Sequence, residues 1–343
     1  MPQNVRGVVA RYSQGEPVEA HQLQSAFRAL MQGQLPDSLI AALLVALQVK
    51  GLEAQAIECV ARVVREFLIP VRHSVAGPLV DLCGTGGDAR ATFNVSTTAS
   101  FVVAAAGVRV AKHGNRSVSS TCGSADVLEA LGLDLQLTPA QIATCLERVG
   151  IGFMFSPAHR PALPGLTRVR SELAIRTIFN VIGPLTNPAA ASRQLLGVFS
   201  AELVPIMAQV LRALGSERAL VVHGEDGLDE ISLSGSTLVA ELWDGDIRQY
   251  HLHPSDFGMK VCDLASLQVS NIDQARALCL EVLAGREGAP RDIVLLNSAA
   301  ALYLGDRVES IAQGLELATG ILDSGKAMQT YESLLSFTRG LRN

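Results

Sequence analysis

The chain has 343 residues, 48% of them hydrophobic, with 28 Lys and Arg against 33 Asp and Glu and a net charge of -5. That length suits two domains with a sizeable core, and the mildly acidic balance excludes a general attraction to nucleic acid or anionic membrane. Aromatic residues, at 4%, are too few for a base-stacking platform, and the apolar runs Leu39 to Val49 and Phe101 to Ala111 stop short of the roughly 20 residues that span a bilayer.

The first twenty residues show neither a secretory apolar core nor a transit-peptide bias, so a soluble, cytoplasmic protein is expected. Residues 1 to about 70 read as helices only. Within them, Asp37 to Gly51 has a polar start, apolar residues on most faces and a glycine stop, which predicts a helix buried on more than one side, in the core or between subunits.

After Ile69, Pro70 and Gly77-Pro78 punctuate the chain, and short apolar runs begin to alternate with helical stretches. Strands are predicted at PLVDLC ending on Cys83 and at 108–111, 152–155, 194–199 and 219–224. Between them, Thr138-Pro139 with Gln141 forms a capping box, and a helix ends on Gly215. This order predicts an α/β fold with a mostly parallel sheet. From Ile231 to Leu252 the period shortens to two around a hairpin turn at Asp244-Gly245, and three or four amphipathic helices follow from Asn271. The six cysteines (Cys59, Cys83, Cys122, Cys145, Cys262, Cys279) lack zinc spacing and read as reduced thiols.

Four segments carry chemistry. In the loop DLCGTGGD, the glycines Gly84, Gly86 and Gly87 directly follow a strand and let backbone amides approach an anion, or simply make a tight strand-to-helix turn, and the helix start after Asn94 adds N–H groups and a partial positive charge. KHGNRSVSSTCGSAD, Lys112 to Asp126, crowds cations and hydroxyls around a glycine, as a second phosphate loop or a solvated basic loop would. From Ala89 to Ala125 there is no Asp or Glu, although a surface built for solubility would intersperse both signs. HGEDGLDEISL sets Asp229 and Glu230 side by side in a Gly-containing turn, a source of hard oxygen ligands for Mg²⁺ or simply an acidic lead-in to a hairpin. Arg168, Arg170 and Arg176 read as one helix, on which 168 and 170 cannot share a face; one could fork onto a carboxylate, or all could be surface residues.

Together GTGGD, FNVST, KHGNRSVSS, SPAHRPA, IRTIFNVIGPLTNPA and the Asp-Glu pair resemble the anthranilate phosphoribosyltransferase family along almost the whole chain. The resemblance implies a small all-helical domain (1–70, with a returning segment near 165–190) joined to a larger α/β domain (71–343) with a mostly parallel central sheet. It also implies a site in the cleft between them and a homodimer formed through the helical domain. The implied reaction couples anthranilate to phosphoribosyl pyrophosphate (PRPP), with two Mg²⁺ ions per subunit.

Carried over by position, the PRPP contacts fall on Gly84, Gly87, Asp88, Thr92, Asn94, Val95, Ser96, Thr97, Lys112, His113, Gly114, Asn115, Arg116, Ser117, Val118, Ser119, Ser120 and Ser124. Metal ligands fall on Ser96, Asp229 and Glu230, anthranilate contacts on Gly84, Asn115 and Arg170, and the catalytic roles on Asp229, Glu230 and Lys112. No dedicated base is expected, with His113 the nearest acceptor for a late proton. Two departures from the family pattern are Ala89-Arg90, where a glycine is common, and Arg160 in His159-Arg160-Pro161-Ala162. The first bears on the freedom of the loop, the second on whether Arg160 enters the path of the aromatic substrate or turns to solvent. The alternatives are a pyrimidine nucleoside phosphorylase-like enzyme and a non-catalytic nucleic-acid-binding relative.

Overall fold

A computed structural model describes residues 2–116 and 122–341, so Ser117, Val118, Ser119 and Ser120 lie outside the described residues. The chain divides into two units, Met1–Ile69 with Pro157–Thr186, and Pro70–Ser156 with Asn187–Asn343.

The first unit is helical: α1 (Pro2–Ser13), α2 (Ala20–Met31), α3 (Asp37–Lys50), α4 (Ala54–Glu66), α8 (Pro164–Leu173) and α9 (Phe179–Ile182), numbered in chain order. Helix α3 buries Ile40, Leu43, Leu44, Ala46 and Leu47 against α1 and α8, yet leaves Val49 78% exposed. Gly51, at φ 97°, ends it in a conformation that side chains with a Cβ rarely adopt. Ala174 takes a left-handed conformation (φ 49°) and ends α8, so Arg176 lies beyond the helix that carries Arg168 and Arg170. The helical spacing of the three arginines hid that break.

The second unit comprises β1 (Leu79–Gly84), α5 (Val95–Ala105), β2 (Arg109–Gly114), α6 (Ser124–Ala130), α7 (Pro139–Arg148), β3 (Ile151–Phe155), β4 (Arg193–Gly197), α10 (Leu203–Ala213), β5 (Arg218–Gly224), β6 (Thr237–Trp243), β7 (Asp246–Leu252), α11 (Ile272–Leu283), α12 (Ala289–Leu304), α13 (Ile311–Asp323) and α14 (Lys326–Gly340). The strands form a seven-stranded sheet in the order β3-β2-β1-β4-β5-β6-β7. The first five run parallel and β6 and β7 antiparallel, joined at Asp244 and Gly245, both at positive φ, as a two-residue hairpin requires.

Both faces of the sheet are covered. Val80 and Leu82 of β1 point into a large core shared with α5, α12 and α13, whereas Leu79 joins a smaller cluster with Ile142 and Leu146 of α7. The capping box opening α7 is formed, with Thr138 Oγ1 accepting from the Gln141 N–H at 3.3 Å. Two boundaries differ most from the sequence reading. Strand β2 continues to Gly114, so Lys112 and His113 sit on a strand rather than in a loop. The period-two pattern from Ile231 yields a strand only from Thr237, because Ser232 and Ser234 are tied by side-chain bonds: Ser232 Oγ donates to Asp226 at 2.6 Å and accepts from the Ser234 N–H at 2.9 Å.

Candidate active site

Strand order reverses between β1 and β4, and in open α/β sheets ligands bind outside the carboxyl ends of the strands at such a point. Those ends are Gly84 and Gly197, paired in register. A Cβ on Gly84 would strike the Asp229 carboxylate, and one on Gly197 would strike the Asp229 main-chain carbonyl. Glycine at both ends is what lets the chain around Asp229 lie across the sheet.

There Asp229 Oδ2 accepts from the Gly86 N–H at 2.9 Å, and Glu230 Oε1 accepts from the Ser96 N–H at 3.1 Å. Burial pushes the Asp229 carboxyl up to about 7, with Asp88 adding repulsion. Burial and then Asp229 push Glu230 up to about 8. Two acids crowded in this way ionise more readily beside a cation.

Lys112, buried at the end of β2, donates to the Leu82 carbonyl at 2.5 Å and to Ser96 Oγ at 3.2 Å. Burial lowers its pKa, opposed by the charges of Asp81, Cys83, Glu230 and Asp229. Asp81 is fully buried and accepts from the His113 N–H at 3.1 Å and from Asn187 Nδ2 at 2.8 Å. Burial raises its carboxyl to about 6 in spite of Asn187 and Lys112. The structure thus brings Gly84, Gly86, Ser96, Lys112, Asp229 and Glu230 into one network. Asn94 stands at the N-terminus of α5, its Nδ2 donating to the Cys122 carbonyl at 3.2 Å while its buried Oδ1 has no hydrogen-bond partner among the described residues.

Some expected contacts are differently engaged. The sequence predicts free amides at the helix start, yet the Val95 N–H donates to the Phe93 carbonyl and the Ser96 N–H to Glu230. Thr97 is buried and lines a small internal cavity with Ser100, Phe101 and Lys112. Thr92 forms an isolated bridge with Gln268. Arg116 pairs with Asp126 at 3.1 Å and Glu129 at 2.5 Å and lies over the Phe155 ring. Ser124 Oγ donates to the Asn115 carbonyl at 3.3 Å, and a Cβ on Gly114 would strike that same hydroxyl. Arg170 belongs to the helical unit, where its guanidinium lies 5.6 Å from the centre of the Phe179 ring. Burial and then the neighbouring Arg160 lower its pKa, and Arg160 is itself half-buried. Arg168, by contrast, pairs with Asp37 at 2.6 Å.

Sequence reasoning did not find four residues. Asp81 and Asn187 support the strand end at Lys112, Gly197 makes room for Asp229, and Asn297 of α12 holds Ile231 through both of its main-chain groups. Asp81 and Asn187 lie within DLCGTGGD and IRTIFNVIGPLTNPA, which assign them no role, while Gly197 and Asn297 belong to no motif. All six cysteines are unpaired. Among the described residues, no group of three or more His, Cys, Asp or Glu side chains could hold a metal by itself.

Known proteins agree with this architecture. The helical bundle domain model of a glycosyl transferase family matches residues 7–68 and its a/b domain model matches residues 76–328. The anthranilate phosphoribosyltransferase of Methylibium petroleiphilum is 54% identical over 92% of each chain, and that of Chromobacterium violaceum 50% identical over 96% of this chain and 97% of that one. The crystal structure of the Thermus thermophilus enzyme of that name superposes with a TM-score of 0.90 at 42% identity, over 97% of this chain and 99% of that one. The Saccharomyces cerevisiae enzyme in complex with PRPP and Mg gives 0.90 at 25% identity, and a variant of it in complex with 4-fluoroanthranilate gives 0.87 at 25%, each over 99% of both chains. Identity of this extent over both units, together with a shared fold, means that the chain belongs to the anthranilate phosphoribosyltransferase family.

Proposed function

We propose that the chain transfers the 5-phosphoribosyl group from PRPP to the amine of anthranilate, giving N-(5-phosphoribosyl)anthranilate and pyrophosphate, a step of L-tryptophan biosynthesis. The observation that carries this reading is the Asp229-Glu230 pair held over the Gly84 and Gly197 strand ends beside GTGGD. The relatives bear the anthranilate phosphoribosyltransferase name, so neither the phosphorylase nor the nucleic-acid reading is favoured.

The residues fit Mg²⁺. Asp229 and Glu230 are hard oxygen donors whose carboxyls burial drives up to about 7 and about 8, and Mg²⁺ is usually held by one or two carboxylates completed by water and substrate phosphates. Ser96 and Glu230 would hold one ion and Asp229 with Glu230 a second; bound Mg²⁺ supplies charge neutralisation for departing pyrophosphate.

Breaking the bond from ribose C1 to pyrophosphate adds negative charge to the leaving group, so the protein contributes mainly electrostatic stabilisation and orientation. The amides after Gly84 would cradle the pyrophosphate, Asp88, Thr92 and the Asn94 to Thr97 start of α5 would make further contacts with PRPP, and Lys112 with the 113–120 segment and Ser124 would hold the phosphates and fix the register of the ribose. Gly84, Asn115 and Arg170 would bind anthranilate, with Arg170 forking onto its carboxylate. Arg168 is taken up by Asp37, whereas Arg170 lies over the Phe179 ring with no ion pair among the described residues, which supports that role. The nucleophile is an aniline nitrogen, neutral at pH 7, and needs no base before it attacks.

The reading also makes the protein a cytoplasmic homodimer joined through its helical unit, and Val49, exposed on the apolar helix α3, supports that surface. No helix among the described residues is long and apolar enough to cross a membrane.

Loss of anthranilate fluorescence with PRPP and Mg²⁺ is the direct test, and an unchanged signal with all components present would sink the reading. Arg170→Ala should raise the anthranilate KM about 10-fold or more, the scale of one lost charge-assisted bond, and leave the PRPP KM nearly unchanged. Equal effects on both would make Arg170 structural.

A further inference from the structure

We infer that Asn297 is a positioning residue for the carboxylate pair, acting through the main chain of Ile231. Asn297 lies on α12 and is fully buried. Its Nδ2 donates to the Ile231 carbonyl at 3.0 Å and to the Ile293 carbonyl at 2.9 Å, and its Oδ1 accepts from the Ile231 N–H at 3.0 Å. The amide therefore pairs with both polar groups of one residue, as a neighbouring strand would, where no strand is available.

The bond to Ile293 is local to the helix, but the two bonds to Ile231 do nothing for α12. They act on the chain that carries Asp229 and Glu230. The peptide joining Glu230 to Ile231 is planar, so holding the Ile231 N–H also fixes the orientation of the Glu230 carbonyl. The Ile231 side chain is 1% exposed in the large core, which removes the remaining freedom on that side. On the other side, the Asp229 carbonyl lies against Gly197. The acidic turn is thus clamped between α12 and the strand ends.

Mg²⁺ demands near-ideal octahedral geometry, so donors that drift lose affinity. The inference rests on the reading that Asp229 and Glu230 hold the cation, and the experiment separates the two. Binding of Mn²⁺ to the protein with PRPP, without anthranilate, is followed by the electron paramagnetic resonance signal of the free ion, alongside the thermal unfolding midpoint. Wild type, Asp229→Asn, Asn297→Ser, Asn297→Asp and Leu302→Ala are compared. Leu302 is buried on the same helix, so its truncation loosens α12 without removing a bond to Ile231.

Asn297→Ser should weaken Mn²⁺ binding about 10-fold or more and raise the Mg²⁺ needed for half-maximal turnover, with the anthranilate KM unchanged. Asn297→Asp keeps an acceptor for the Ile231 N–H but sets a carboxylate oxygen against the Ile231 and Ile293 carbonyls, so it too should weaken Mn²⁺ binding. Leu302→Ala should lower the unfolding midpoint and leave Mn²⁺ affinity intact. If Asn297→Ser behaves like Leu302→Ala, the residue is structural and the inference is overturned. If Asn297→Ser does not fold, wild-type Mn²⁺ affinity in Asn297→Asp overturns it equally. If Asp229→Asn binds Mn²⁺ as wild type does, the metal reading itself fails and the inference falls with it.

Discussion

At the amino ends of β4 and β5, Arg193 and Arg218 converge on Asp306, whereas at the carboxyl ends of β1 and β4 Asp229 and Glu230 crowd one another. Arg193 donates to Asp306 at 2.5 Å, to Glu217 at 3.2 Å and to the Leu304 carbonyl at 2.8 Å. Arg218 shares the same carboxylate and lies 3.6 Å from the centre of the Trp243 ring. Burial alone would raise the Asp306 pKa, but the bonds from Arg193 and Arg218 outweigh it and the net shift is downward. At the other end the shifts of Asp229 and Glu230 run upward. One sheet therefore carries satisfied charge at one end and frustrated charge at the other. The first pattern holds a fold together, and the second is what a binding site for charge looks like.

The contrast breaks most visibly at the frustrated end. Changing Asp229 and Glu230 together to their amides should lower kcat/KM about 10³-fold, the scale of losing preorganised charge stabilisation, and weaken the Mg²⁺ dependence while leaving the unfolding midpoint unchanged or higher. A large loss of midpoint would mean that these acids stabilise the fold as Asp306 does.

Asp81 sharpens the contrast through pH. Its carboxyl, raised to about 6 by burial, binds a proton more tightly in the native state than in the unfolded chain. Its contribution to stability is therefore complete below the ordinary carboxylate pKa of about 4 and lost as pH rises through about 6, about 3 kcal/mol in all. Asp81→Asn should flatten the fall in urea-derived unfolding free energy between pH 4 and 7. Identical profiles for the two proteins would remove Asp81 from the frustrated set.

Arg193→Ala tests the satisfied end. It should cost about 2 kcal/mol of stability, discounted because Asp306 and Glu217 are half exposed, with kcat/KM of the folded protein unchanged. The smallest effect belongs to Ala89, held at φ 56° in the loop after GTGGD. Ala89→Gly should relieve that strain by no more than about 1 kcal/mol, because glycine also enlarges the unfolded ensemble. Thermal unfolding without ligand would show it.

The elements whose causes are local were legible in the sequence: the Thr138 capping box, the Asp244-Gly245 hairpin, the four closing helices and the strand before GTGGD. What escaped depends on contacts made far along the chain. Asn297 lies 66 residues from Ile231, and Asn187 lies 106 from Asp81. No periodicity announces either pair. Arg176 falls outside the helix that its spacing predicts because nothing in its neighbours signals that Ala174 turns left-handed. Lys112 reads as a loop residue because lysine is seldom buried, and here the Leu82 carbonyl and Ser96 receive its ammonium.

The glycines at the ends of β1 and β4 narrow the routes by which this chain can drift. Every single-base change that alters a glycine codon to another amino acid adds a Cβ, and at Gly84 or Gly197 that atom meets Asp229. Neither position has a conservative neighbour in the genetic code, whereas an aspartate can reach glutamate or asparagine in one step. Lineages relieved of the need for this reaction should therefore preserve the sheet and its arginine clasp long after the two glycines have gone, and loss at these two positions would be the earliest readable mark of a silent descendant.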